Sequence, residues 1–160
     1  MKAGIFYISN HGTTAKVAKQ IGEKVHHTVD LIDIKKIKNP NPELYDLVIL
    51  GSSIHAGSNQ KSMKSFIKRN KDVFLNKKLA LFLCCMYEGE ERINQFNNSY
   101  PEELRNHSAA NLLAGGEFIL EKMNFLEKAI VKKVAGVNET KRNIDEKAIT
   151  NFIATLEKIK

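Results

Sequence analysis

Tryptophan is absent, and cysteine is nearly so: Cys84 and Cys85 are its two occurrences. They are adjacent, lie in an apolar run and lack C-x-x-C spacing. This excludes a disulfide framework and argues for reduced core thiols of a cytoplasmic protein over a redox or zinc motif. No apolar run approaches the length of a membrane span. The chain opens on Met1-Lys2 and passes at once into an apolar strand, so no signal peptide is expected. An acidic excess is also missing. Lys and Arg number 25 against 18 Asp and Glu, a formal charge of +7. That balance favours an anionic partner such as membrane lipid, an acidic protein or a carboxylated substrate. Nucleic acid is not expected, because the basic residues are spread out and no nucleic-acid-binding motif accompanies them. The nucleotide fingerprints G-x-x-x-x-G-K-[ST] and G-x-G-x-x-G are both lacking, which excludes a nucleoside-triphosphate loop and argues against a dinucleotide pyrophosphate site. What remains, with 42% hydrophobic and 27% charged residues in 160 positions, suits one globular domain with a sizeable core.

The most informative stretch present is Ile5-Phe6-Tyr7-Ile8-Ser9-Asn10-His11-Gly12-Thr13-Thr14. A short apolar run without helical period predicts a buried strand. Small hydroxyl and amide residues around one glycine predict a tight turn. Thr14, Val17, Ala18, Ile21 and Val25 then recur at helical spacing. A strand ending in a hydroxyl-rich turn at a helix N-terminus is suited to phosphate, because free backbone N–H groups and the positive end of the helix dipole face the ligand. Ser9, Thr13 and Thr14 add hydroxyl donors. The turn has no cysteine nucleophile and no acidic pair, so phosphatase and phospho-acceptor chemistry lose support. A terminal phosphate monoester is the ligand left, against the plainer alternative of an ordinary capped turn.

Further along, residues 28–34 predict an edge or near-edge strand and 35–42 a loop with two prolines. Residues 47–50 predict a central strand buried on both faces. A second small-residue loop follows, Ser52-Ser53-Ile54-His55-Ala56-Gly57-Ser58, then a helix over 62–70. Residues 79–85 predict another buried strand, running into a third loop, Met86-Tyr87-Glu88-Gly89. Helices are expected over 90–96 and 102–109, a fifth strand over 111–118, and a final helix over 145–159. Strands alternating with helices predict an α/β, doubly wound sheet with right-handed crossovers. The loops after the first, third and fourth strands then share the carboxyl edge, where such sheets bind ligands.

The first loop resembles that of the flavodoxin family, [ST]-x-T-G-x-T, and stands here as Ser9-Asn10-His11-Gly12-Thr13-Thr14, with His11 in place of the usual threonine. The resemblance implies a flavodoxin-like three-layer fold, a five-stranded parallel sheet in the order 2-1-3-4-5, and FMN as cofactor. It implies that Ser9, Asn10, His11, Gly12, Thr13 and Thr14 hold the phosphate. Ser53, Ile54, His55, Ala56 and Gly57 would wall one side of the flavin ring, and Cys85, Met86 and Tyr87 the other. Gly57 would let the backbone approach the ring. The stretch Gly51-Ser52-Ser53-Ile54-His55-Ala56-Gly57 is similar to G-[AS]-S-I-[RH]-x-G of the flavodoxin-type, menaquinone-dependent protoporphyrinogen oxidases of haem synthesis. That similarity covers nearly the whole chain, which is read as one flavodoxin-like domain over 1–160 with an insert at about 117–143.

In the insert, Ile119, Met123, Leu126, Ile130 and Val134 are expected on one helical face, and Lys122, Lys128, Lys132 and Lys133 on others. Such a helix either packs on its own sheet or presents a basic amphipathic surface to an anionic membrane or acidic partner. Three functions follow from the resemblance. One is an FMN enzyme passing reducing equivalents from a porphyrinogen to menaquinone, cytoplasmic or peripheral at the inner membrane face. A second is an electron carrier between protein redox partners. The third is a flavin-dependent quinone or nitro reductase. No metal site is expected, and no acid–base pair stands out.

Overall fold

The computed structural model describes residues 1–55, 58–135 and 139–159, with the side chains of 55, 58, 59, 118, 130, 134 and 135 left undescribed. In chain order the elements are β1 (Lys2–Tyr7), α1 (Thr13–Lys24), β2 (Thr28–Asp33), β3 (Leu47–His55), β4 (Ser58–Asn59), α2 (Lys61–Leu75), β5 (Lys78–Cys84), α3 (Gly89–Ser99) and α4 (Glu102–His107). They continue with β6 (Ala110–Leu113), β7 (Gly115–Phe118), α5 (Phe125–Ala135), β8 (Lys141–Ile144) and α6 (Glu146–Leu156). Short 3-10 turns cover Pro42–Leu44 and Leu120–Lys122.

Five parallel strands form the main sheet in the order β2-β1-β3-β5-β6, which is the expected order 2-1-3-4-5, and β4 adds antiparallel to the end of β3. The alternation of strand side chains divides the core into two layers. Ala3, Ile5, Leu47, Ile49, Ala80 and Phe82 point to Val17, Ala18 and Ile21 of α1 and Ile149, Phe152 and Leu156 of α6. Phe6, Val48, Leu50, Leu79, Leu81 and Leu83 point the other way, to Met63, Phe66 and Phe74 of α2 and to Phe96, Tyr100 and Leu104. The Tyr100 hydroxyl, 1% exposed, donates to the carbonyls of Leu50 and Phe82, so the one polar atom of this ring is satisfied inside the core. Pro101 separates α3 from α4, as expected of a residue that cannot continue a helix.

Three expectations are corrected. The strand predicted over 111–118 is two strands. β6 stays in the sheet, whereas Gly115, at φ +73°, turns the chain outward, and β7 pairs antiparallel with β8. A Cβ at Gly115 would sit 1.9 Å from the Asn143 carbonyl oxygen, so the turn and the close pairing both need glycine. The second loop is shorter than predicted, because β3 continues through His55 and Ser58–Asn59 pairs back onto it. The single helix expected across 119–134 does not form. Asn124 and Glu127 make a reciprocal capping box: Glu127 N–H donates to Asn124 Oδ1 at 2.9 Å, and Asn124 N–H donates to Glu127 Oε2 at 2.9 Å. The helix therefore starts at Phe125. Ile119 falls before the 3-10 turn, and Phe125 and Leu126 are 89% and 68% exposed.

Candidate functional site

The parallel register brings the three predicted loops to one edge. Tyr7 lies beside Gly51, and Ser53 beside Cys84. The Ile8 N–H donates to the Gly51 carbonyl at 3.1 Å, and the Cys85 N–H to the Gly115 carbonyl at 2.8 Å. The stretch 8–12, the end of β3 and residues 85–88 are thus neighbours at the carboxyl ends of the strands.

The first loop has the features of an anion cradle. Gly12 is the N-cap of α1 with φ 100°, and no side chain caps the helix or puts an acid in its first turn. No side chain of the helix itself thus satisfies the N–H groups of its first turn, a feature that anion sites share. Gly12 N–H donates to Ser9 Oγ at 3.1 Å, which locks the turn while the Ser9 proton stays available to donate. Thr13 and Thr14 are 8% and 1% exposed. The Thr14 hydroxyl is buried against the Cys84 thiol, a weak hydrogen-bond partner, and no stronger partner is found for it among the described residues. A buried hydroxyl so weakly partnered is costly unless something supplies a better partner, and here it lies at the start of α1 beside the open helix end. These observations fit a phosphate monoester. His11, which stands where the family has a threonine, has its Nε2 3.2 Å from Glu127 Oε2. Asn10 is exposed and accepts a hydrogen bond from Lys35 through Oδ1.

The second and third loops are less enclosed. Ser53 Oγ accepts from Gln60 Nε2 at 3.2 Å, and Ile54 is half-buried. Ala56 and Gly57 lie outside the described residues, as does the side chain of His55. Met86 is half-buried and Tyr87 is 37% exposed, so the tyrosine ring has a face to offer. Gly116 packs so closely on this loop that a Cβ there would meet the Cys85 carbonyl oxygen at 2.9 Å. Burial pushes the Cys84 thiol up to about 12 and raises the Cys85 thiol as well, which keeps both neutral and inert. Among the described residues no group of His, Cys, Asp and Glu could hold a metal ion.

Residues from 117 onward also meet the first loop, which the sequence did not reveal. The Glu117 carboxylate, 3% exposed, accepts from Thr13 Oγ1 at 3.3 Å and pairs with Lys16 Nζ at 3.1 Å and Arg142 Nε at 3.8 Å. A Cβ on Gly12 would lie 3.3 Å from Lys122 Nζ. Glu117, Lys122, Glu127 and Arg142 therefore set the charge around the cradle. Their only sequence signal was the extra length after the fifth strand, together with the Asn124-x-x-Glu127 capping pattern.

A doubly wound sheet with an uncapped helix N-terminus and two further loops at its carboxyl edge is the architecture of mononucleotide-binding α/β proteins. The flavodoxin domain model matches residues 4–145, and the chain belongs to that family. Flavodoxin 1 from Bacillus cereus has the same fold over 100% of both chains, at 18% identity and a TM-score of 0.59. The flavodoxin of Streptococcus pneumoniae TIGR4 does so over 99% of this chain and 97% of its own, at 12% identity and a TM-score of 0.61. An uncharacterized protein from Methanocaldococcus jannaschii is 36% identical over 98 residues, 58% of this chain and 64% of that protein. The match thus takes in a little under two thirds of that relative. None of the described helices is long and apolar enough to cross a membrane.

Proposed function

We propose that this protein is an FMN flavoprotein that carries electrons between protein partners, built as one flavodoxin-like domain with an insert at about 117–143. The cofactor is FMN, and it supplies the redox chemistry when bound. Ser9, Thr13, Thr14 and the N–H groups at the start of α1 hold its phosphate. Ile54, Met86 and Tyr87 border the ring, with His55, Ala56 and Gly57 assigned there on the family motif. The observation that carries the FMN reading is the weakly partnered, buried Thr14 hydroxyl at the uncapped start of α1.

The carrier is preferred to the porphyrinogen enzyme because the insert is already engaged: Glu117, Lys122 and Glu127 pack over the first loop. The motif Gly51-Ser52-Ser53-Ile54-His55-Ala56-Gly57 favours protoporphyrinogen oxidation with a menaquinone acceptor as the second reading. The test has two parts. The flavin released from purified, FMN-reconstituted protein is identified by mass and spectrum. Turnover is then measured with protoporphyrinogen and menadione, and separately with a flavodoxin reductase. FMN with reductase-driven cycling supports the carrier. Porphyrinogen turnover favours the second reading, and failure to retain FMN removes both.

A further inference from the structure

The basic character of this protein is concentrated in one place. Residues 34–40 and 61–71 carry eight Lys or Arg and no Asp or Glu. With 25 basic and 18 acidic residues in all, the other 142 positions hold 17 against 18 and are close to neutral. The two segments are neighbours in space. Ile34 and Pro40 line one groove with Lys61, Ser62, Ser65, Phe66 and Arg69, a space of about 370 Å³. On the opposite flank of α2, Lys64, Lys68 and Lys71 line a second groove of about 420 Å³ with residues 97–102. Helix α2 is thus a basic ridge between two furrows.

Some of this charge is used internally. Lys36 pairs with Asp33 at 3.6 Å, Lys71 with Glu103, and Lys35 donates to Asn10; Glu102 lies on the rim of the second groove. Lys38, Lys61, Lys64, Lys68 and Arg69 are exposed and make no ion pair among the described residues. The ridge starts next to the cofactor edge. Lys61 follows β4 with Gln60 between, and β4 pairs with Ile54 and His55.

We infer that the α2 ridge and the 34–40 loop form the docking surface for an acidic redox protein, a proposal that rests on the carrier reading. The chemistry of the surface selects this occupant over two other polyanions. A single-stranded nucleic acid needs aromatic faces on which bases stack. The aromatic residues lining the two grooves, Phe66 and Tyr100, are 2% and 1% exposed and belong to the core. A lipid surface needs a large apolar face beside the cations. No large hydrophobic residue on α2 is exposed, and the 34–40 loop offers Ile37 at 47%. A small, polar, charge-matched contact is what transient electron-transfer encounters use, and its attraction is a matter of steering.

The test measures binding of FMN-loaded protein, by calorimetry at low salt, to an acidic [2Fe–2S] ferredoxin. A basic cytochrome c, vesicles containing anionic phosphatidylglycerol and a single-stranded DNA oligonucleotide serve as comparison probes. The expected result is binding to ferredoxin but not to cytochrome c, weakening about tenfold or more as salt screens the charges. Lys61→Glu/Lys64→Glu/Lys68→Glu should abolish ferredoxin binding, and the gentler Lys→Gln triple should weaken it about tenfold. Lys128→Glu/Lys132→Glu/Lys133→Glu on α5 should leave it unchanged. Circular dichroism and FMN fluorescence on each variant separate loss of docking from loss of fold or cofactor. Equal binding by the wild type and the α2 variants, no ferredoxin binding by the wild type, or tighter binding to vesicles or DNA would overturn the proposal. Failure of the FMN reading would instead show as absent flavin, whatever ferredoxin does.

Discussion

Thr14→Val should move stability and cofactor affinity in opposite directions. Valine has nearly the shape of threonine and removes only the hydroxyl. In the protein without ligand that hydroxyl is 1% exposed and unpartnered, next to a thiol that is at best a weak partner. A buried unsatisfied polar group costs about 1–3 kcal/mol. With the thiol offsetting part of this, about 1 kcal/mol of stability should be recovered. For a domain of this size that raises Tm by about 2–4 °C. In the FMN complex the same hydroxyl would donate to a phosphate, and a hydrogen bond to a charged group is worth about 1.5–3 kcal/mol. Affinity should then fall by about one to two orders of magnitude. Calorimetric unfolding of the apo-protein and quenching of FMN fluorescence read the two effects independently. A purely structural threonine predicts the reverse pattern, a lower apo-protein Tm with unchanged FMN affinity, and that result would refute the argument.

Three other changes test the surroundings of the loop. Glu117→Gln keeps the bond to Thr13 within reach but removes a negative charge from the cradle and frees Lys16 and Arg142; FMN should bind about tenfold tighter, since like charges a few ångströms apart at an effective dielectric near 20 repel by several kcal/mol before partial cancellation. Weaker binding in that variant would mean that Glu117 organises the site and does not compete with the ligand. Gly12→Ala places a side chain at φ 100° and 3.3 Å from Lys122 Nζ; a cost of about 1–2 kcal/mol in urea unfolding and a loss of FMN affinity are expected. Cys84 and Cys85 should resist dithionitrobenzoate in the native protein at pH 8 and both react after denaturation. Because burial lifts Cys84 from the ordinary 9.0 to about 12, its contribution to stability is fully present below about pH 9 and is lost as pH rises toward 12. A native thiol that reacts quickly at pH 8 would contradict the burial argument.

Local pattern by itself determined the buried central strands and the turn at the start of α1. The runs around Ile5, Leu47 and Leu81 are continuous and apolar because both strand faces are covered, and a strand buried on both faces has no other composition open to it. The turn chemistry of Ser9 to Thr14 marked the start of α1 for the same local reason. The apolar pattern from Ile119 to Val134 suggested one long helix, and the capping box of Asn124 and Glu127 set its actual start. Tertiary structure alone decided what meets the cradle. Glu117 lies 104 residues from Thr13, and Glu127 lies 116 from His11. No periodicity relates positions so far apart. The contacts exist because Gly115 breaks the fifth strand and β8 holds β7 in a separate ribbon, which brings Glu117, Lys122 and Glu127 back over the sheet edge. The sign of the charge was written in the composition, but its concentration on one ridge was not. That follows from the grooves on either side of α2, which place the 34–40 loop beside the one helix that carries five basic residues and a single acid.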